Sequence, residues 1–371
     1  MFAGGPFRHG GVMITATTRA SRRTPARRTA RSARRLARQA ILLAAVGMLI
    51  RFIGAGWDDI AVSFHSLLSS NAELLIVALG LEAAWLWSLA QVYRSSLVAM
   101  GGSVTRTQAV RVSMGAFTIS RIVPGGGAVG SVFAARELVV IGNPAATTVA
   151  SMVVSWWISM SSLTTLVLGG IGIGVLAGQV SPIYLIAPAV TLAALVGAGT
   201  AVATGLRRRR LRAGLVALAQ RVAAKTGTVD DPAQADDAFR TAVERVRDPR
   251  SLLHIALWGT ASWSFDAAAL WLMFEAFGHR LAIAPLLVGY GAVNLLQALP
   301  ELTPGWLGVI EGTLAVTYAA FGIPTGVAVI AVLSYRMLSH WLPVAVGLPP
   351  AIGMLRRTRS PKPPAERGLV T

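Results

Sequence analysis

A helical integral membrane protein is the fold class that this sequence predicts, on three observations. Hydrophobic residues make up 54% of the 371 residues and charged residues only 13%, which is unlike ordinary soluble domains. Apolar runs recur at 40–56, 74–92, 146–175, 182–205, 251–277, 281–299 and 325–353, most of them near the ~20 residues that cross a ~30 Å hydrocarbon core. Strand-like alternation is missing, which argues against an outer-membrane barrel.

Taken in order, residues 1–38 carry ten arginines and no acid, ending in Arg31, Arg34, Arg35 and Arg38. They read as a basic cytoplasmic tail. The run 40–56 leads out and 74–92 returns to Arg94, Arg106 and Arg111. The piece 108–121 is about 21 Å long as a helix, too short to span. It breaks at Pro124-Gly125-Gly126-Gly127, and the piece 129–141 that follows is as short. Two half-length helices around such a break form a re-entrant hairpin. The run 146–175 leads out and 182–205 leads in to Arg207-Arg208-Arg209-Arg210. The loop 206–250 has two amphipathic stretches, one with Leu215, Leu218 and Val222 and one with Phe239, Val243 and Val246, suited to a membrane surface. The run 251–277 leads out, a second interrupted unit covers 281–321, and 325–353 leads to Arg356, Arg357 and Arg359.

The expected plan is a tail (1–38), a membrane domain (39–355) and a second basic tail (356–371). Six transmembrane helices and two re-entrant hairpins place every arginine cluster on the cytoplasmic side of a cell membrane. Three crossings separate the hairpins, so the second is inverted relative to the first. The alternative plan has eight transmembrane helices. The near absence of lysine beside many Arg, Ala and Gly suggests a GC-rich bacterial genome.

The two units, about 106–175 and 281–353, match at an offset of 180. Pro124 pairs with Pro304, Gly125 with Gly305, Val129 with Val309, Ala135 with Ala315, Gly142 with Gly322, Pro144 with Pro324, Val149 with Val329 and Ser159 with Ser339. Interruptions at corresponding positions of two halves point to a transport site. Their glycines permit tight turns and bare the N–H groups of helix starts, which attract phosphate or carboxylate.

Charges at membrane depth cost several kcal/mol unless paired or hydrated, so each is a candidate functional group. Arg336 lies about 18 Å along the last helix from Pro324, with His340 one turn later on the same face. Its guanidinium suits a phosphate bidentately; the plain alternative is an ion pair with a buried carboxylate such as Glu311 or Asp266. Glu311 follows Pro304, Gly305 and Gly308 in the first turns of a half-helix, where the dipole favours a carboxylate. It reads either as a helix-start stabiliser or as a countercharge to Arg336. In the first unit the equivalent position is Ser131, and Arg121, Arg136 and Glu137 are the nearest charges. Glu82 and Asp266 are further buried acids. Trp85, Trp87, Trp156, Trp157, Trp258, Trp263 and Trp341 read as packing or lipid-facing residues with no place in a site.

At Pro304-Gly305-Trp306-Leu307-Gly308-Val309-Ile310-Glu311, Gly322-Ile323-Pro324 and Tyr335-Arg336…His340-Trp341-Leu342-Pro343…Gly347, the chain resembles the lysylphosphatidylglycerol synthase transmembrane-region family, the flippase half of the multiple peptide resistance factors. The resemblance covers about residues 40–350. Its Pro-Gly-Gly-x-Gly-x-x-Glu, Gly-x-Pro and Arg-containing-helix pattern carries over onto Pro304, Gly305, Gly308, Glu311, Gly322, Pro324 and Arg336. Pro124, Gly125, Arg136, Gly142 and Pro144 fit in the first unit. The chain departs from the family at Ala128-Val129-Gly130 and Ser155-Trp156-Trp157, where relatives have a Gly-Glu pair and an acidic-basic pair. The resemblance implies translocation of a lipid with a charged or glycosylated headgroup, by a stand-alone member without the aminoacyltransferase domain.

The leading expectation is therefore a lipid flippase-like transporter for a phospholipid or polyprenyl-phosphate-linked headgroup, with no cofactor, no metal and no nucleic-acid partner. Its partners are membrane lipids with anionic headgroups, and cell-envelope biosynthesis proteins are further candidates. The alternatives are a non-transporting assembly partner in envelope synthesis and a membrane enzyme acting on a lipid-linked group. Zero cysteines remove thiolate chemistry and disulfides, and no metal-ligand spacing or nucleophile constellation supports the enzyme.

Overall fold

A computed structural model describes residues 72–123, 126–205, 248–296 and 304–359, with isolated helical positions between 213 and 244. The N-terminal tail, the run 40–56, Pro124 and Gly125, the amphipathic faces of 206–247 and residues 360–371 lie outside the described residues. Every extended element among those described is helical.

Helix α1 spans Ala72–Ala99, α2 Arg106–Ile122, α3 Gly126–Val140 and α4 Ala145–Leu176. A short 3-10 turn, Pro182–Leu185, precedes α5, Ile186–Gly205. Then come α6, Pro249–Ala276; α7, Ile283–Leu296; α8, Val309–Ala320; α9, Thr325–Arg336; and α10, Leu342–Arg359. Glu73–Ala99, Ala145–Leu176, Pro182–Thr200 and Thr325–Arg357 are long and apolar enough to cross a membrane. Helices α7 and α8, with 14 and 12 residues, are too short to do so. At 28 residues α6 has the length, but it is less apolar because it carries Asp266 and several hydroxyls.

Local chemistry sets the boundaries. Thr105 accepts from the Gln108 N–H, and Gln108 returns a side-chain acceptor to the Thr105 N–H, a reciprocal cap that starts α2. Both Gly-x-Pro stops work alike. Gly142 (φ +115°) and Gly322 (φ +88°) take a turn that L residues resist. Pro144 and Pro324 then open α4 and α9 as their N-caps.

Two departures from expectation stand out. The run 182–205 is not one helix from its start; Ser181 caps a 3-10 turn at Pro182 before α5 begins. The run 325–353 is also not a plain helix. A π turn, Met337–Trp341, follows Arg336, with the Leu342 N–H donating to the Met337 carbonyl. Pro343 explains it: its missing N–H and its ring both disrupt the α ladder one turn earlier.

Helix α1 lies antiparallel along α6, with Ala78 clustered with Leu270 and Phe274, and Val92 with Ile255. The two units also exchange helices. Gly347 of α10 meets the Met114 carbonyl of α2 at 2.8 Å from where a Cβ would stand. Val167 of α4 meets Gly291 of α7 at 2.7 Å by the same measure. Positions 167 and 347 are 180 apart, so each unit's long helix lies against the other unit's first hairpin helix.

Candidate functional site

The site begins at the second break. Pro304–Trp306 forms a single 3-10 turn in which Gly305 has φ 61° and ψ 20°. Trp306 follows at φ 57° and Gly308 at φ 82°. Glycine adopts this region freely, but a tryptophan there is strained by about 1–3 kcal/mol. Trp306 is buried in the main apolar cluster, which holds it. The chain thus reverses in four residues and presents Gly308 as the start of α8.

Glu311 closes that start. Its Oε2 accepts from the Gly308 N–H at 2.7 Å, and its Oε1 accepts from Arg336 Nε at 2.7 Å. Arg336 Nη2 also donates to the Gly305 carbonyl at 3.3 Å. Arg336 is 5% exposed and Glu311 8%. Both sequence-level readings of Glu311 therefore hold: it caps the half-helix and it neutralises Arg336. One consequence differs from expectation. The Gly308 N–H at this helix start is already occupied by Glu311.

His340, 2% exposed, stands in the π turn against the same break. A Cβ on Gly305 would sit 2.7 Å from His340 Cε1 and 3.1 Å from the Arg121 carbonyl oxygen. The second break therefore touches the end of α2, three residues before Pro124. The Arg121 guanidinium lies over the Phe117 ring at 4.8 Å, and Phe117 meets Trp85 edge-on at 5.3 Å.

Asp266 of α6 is the second anchor. It accepts from Tyr290 at 2.7 Å and from Tyr335 at 2.9 Å. Between the two anchors lies a cavity of about 60 Å³, lined among others by Arg121, Asp266, Asn294, Arg336 and Ser339. It is polar and roomy enough for a few water molecules. Trp85 and Trp263 line it too, which corrects the expectation that the tryptophans have no place in a site. Trp263 is oriented by Nε1 donating to the Ser159 carbonyl at 2.9 Å. Ser159 and Ser339, 180 positions apart, thus both bear on the cavity.

The structure brings Arg336, Glu311, His340, Gly305, Gly308 and Asp266 into one region, with Pro304 opening the turn; Pro124 and Gly125 lie outside the described residues. Arg136 and Glu137 belong elsewhere. Glu137 pairs with Arg357 of α10 at 2.5 Å and with Arg111 at 3.8 Å. Arg136 Nη2 donates to the Arg357 carbonyl at 2.9 Å. Arg357 lies some 30 Å along the helix from Arg336. Tyr290 and Tyr335 are the functional candidates that sequence reasoning missed. A signal existed: tyrosine favours membrane interfaces, so a tyrosine within an apolar run needs a buried partner.

Among curated proteins, a UPF0104 membrane protein of Methanothermobacter thermautotrophicus is 32% identical over 117 residues, 32% of this chain and 32% of its own length. Another from that organism is 31% identical over 86 residues, covering 23% and 25%. A UPF0104 membrane protein of Methanocaldococcus jannaschii is 29% identical over 83 residues, covering 22% and 24%. The matches thus span a quarter to a third of these relatives. The model of the family described as "Lysylphosphatidylglycerol synthase TM region" matches residues 35–347. The apolar helices, the broken-helix site and that match over most of the sequence agree: the chain is an integral multi-pass membrane protein and belongs to the lysylphosphatidylglycerol synthase TM region family.

Proposed function

We propose that this protein is a flippase-like lipid transporter and that Arg336 receives the phosphate of the headgroup. The observation that carries this reading is the buried Arg336–Glu311 pair, set at a helix break beside a polar cavity. A buried ion pair is poor value as pure scaffolding, because desolvation offsets most of its Coulombic gain. As a binding device it makes sense. Glu311 occupies Arg336 while the site is empty, and a phosphate takes its place with comparable bidentate geometry. Asp266 supplies a negative pole across the cavity, so the site also suits a headgroup that carries a cation beside its phosphate. The helix exchange between the two units supports an inverted-repeat architecture, in which such a site lies near the bilayer midplane. The arginine clusters at 207–210 and 356–359 then face the cytoplasm.

The test is headgroup accessibility in proteoliposomes carrying labelled anionic or zwitterionic phospholipids or a polyprenyl phosphate. Wild-type protein is expected to move at least one class faster than empty vesicles. The Glu311→Leu/Arg336→Met double variant, which removes the pair without stranding a charge, is expected to lose that acceleration. No acceleration for any lipid, or full activity in the double variant, overturns the reading.

A further inference from the structure

Glu82 lies inside α1 and is 2% exposed, yet neither carboxylate oxygen has a hydrogen-bond partner among the described residues. No function assigned above uses it. The antiparallel register that sets Ala78 with Leu270 and Val92 with Ile255 brings position 82 level with Asp266 of α6. Asp266 is its interacting carboxylate neighbour. The two acids are held very differently. Asp266 receives two tyrosyl hydroxyls and lies in the fields of Arg121 and Arg336. Glu82 receives nothing.

Two neighbouring carboxylates in a dry interior do not both ionise. An ionised carboxylate without donors is far costlier to bury than the neutral acid. The negative charge therefore rests on Asp266 and the proton on Glu82. The other groups facing this pair are Tyr290 from α7, Tyr335 and Arg336 from α9 and Arg121 from α2. Helix α4, which also packs on α1, has no titratable residue. None of these groups gives Glu82 a hydrogen bond.

We propose that Glu82 is the proton-carrying group of the transport cycle, binding one proton whenever the site is closed and releasing it when the crevice opens to water. The inference rests on the transporter reading and adds a proton requirement to its closing step. In the closed arrangement Glu82 is dry and neutral. Opening toward either face hydrates it; the O–H bond breaks, the proton passes through crevice water to that compartment, and the carboxylate remains. Closing requires a proton to be taken up again. The loaded passage and the empty return each carry one proton, in opposite directions, so a full cycle spends no gradient and the rate of closing at each face follows the pH there.

Three measurements test this. In proteoliposomes that move lipid, lowering the pH at both faces is expected to accelerate wild-type movement up to about tenfold per pH unit. Glu82→Gln, permanently neutral, is expected to move lipid at a rate that does not change with pH. A pH dye inside wild-type vesicles is expected to report no net proton entry per lipid, which needs no variant. Infrared spectroscopy of protein in nanodiscs at pH 7 is expected to show a protonated-carboxyl band that Glu82→Gln abolishes, whether or not any lipid moves. Lipid movement indifferent to pH, a pH response persisting in Glu82→Gln, net proton entry tied to lipid movement, or no lost carboxyl band each overturns the proton role. Absence of lipid movement alongside an intact carboxyl band overturns the transporter reading, and the proton requirement with it, while leaving Glu82 protonated.

Discussion

The two interrupted units secure the helix that follows their break by different means. In the first, α2 and α3 approach backbone to backbone. A Cβ on Gly126 would overlap the Ser120 carbonyl oxygen, and one on Gly130 would stand 2.5 Å from the Ala116 carbonyl. This spacing of two glycines four apart is the close-packing device of membrane helices. In the second unit Gly312 of α8 has open space around it, and the Glu311–Arg336 pair ties the helix start to α9. At an offset of 180, Glu311 corresponds to Ser131 and Arg336 to Trp156. Among the described residues Ser131 bonds the Gly127 carbonyl of its own helix, and Trp156 is 53% exposed. One unit is thus joined by shape and the other by charge. A backbone break needs no charge, whereas a buried charge costs several kcal/mol unless it is paired or hydrated.

The largest expected effect tests that asymmetry. Arg336→Ala or Glu311→Ala leaves an uncompensated buried charge and is expected to cost about 3–5 kcal/mol, read by reversible unfolding in mixed micelles. Glu311→Leu/Arg336→Met is expected to recover most of that loss. Trp156→Ala and Ser131→Ala, at exposed positions, are expected to stay within about 0.5 kcal/mol of wild type. If Trp156→Ala costs as much as Arg336→Ala, the asymmetry fails.

Glycine substitutions give the next effect, with opposite signs at Gly130 of the first unit and Gly312 of the second. Gly130→Ala forces α2 and α3 apart and is expected to cost about 1–3 kcal/mol. Gly312→Ala meets no neighbour within 4 Å and is expected to stabilise α8 by roughly 0.5–1 kcal/mol. Gly305→Ala adds left-handed strain of about 1–2 kcal/mol and crowds His340, so its loss is expected to fall near that of Gly130→Ala. Thermal midpoints of the three variants rank them directly.

Much of this contrast was legible in the sequence. The breaks were readable because Pro and Gly have few other uses inside apolar runs, and Gly305, Gly308 and Gly322 do carry positive φ. Glu311 and Arg336 were readable because charge within a membrane run needs a partner, although sequence left Asp266 as an equal candidate. Geometry chose Glu311, since the reversal at Gly305 brings α8's first turn to the end of α9. The Asp266–Tyr290–Tyr335 cluster was not readable, because its members come from three helices and tyrosine has no fixed spacing rule. Nor was the partner of Glu137: Arg357 lies 220 residues away, and only the packing of α10 on α2 and α3 brings it close. The π turn after Arg336 had a visible cause in Pro343, but proline at that position fits a kink as well as a π turn.

The smallest expected effect lies outside both units, at the cap of α6. Asp248 there is fully exposed. The Ser251 hydroxyl and backbone N–H hold its carboxyl below the usual carboxylate range, aided by the Arg250 N–H. With the folded value depressed, the cap stabilises fully above about pH 4, where the unfolded group is ionised. That contribution disappears as pH falls through the lower folded value. Asp248→Asn, which retains an acceptor but does not titrate, is expected to flatten the acid limb of the thermal midpoint slightly and leave the neutral value almost unchanged. If Asp248→Asn left the acid limb unchanged, the cap would contribute nothing there, and the contrast between the units would still rest on the substitution energies.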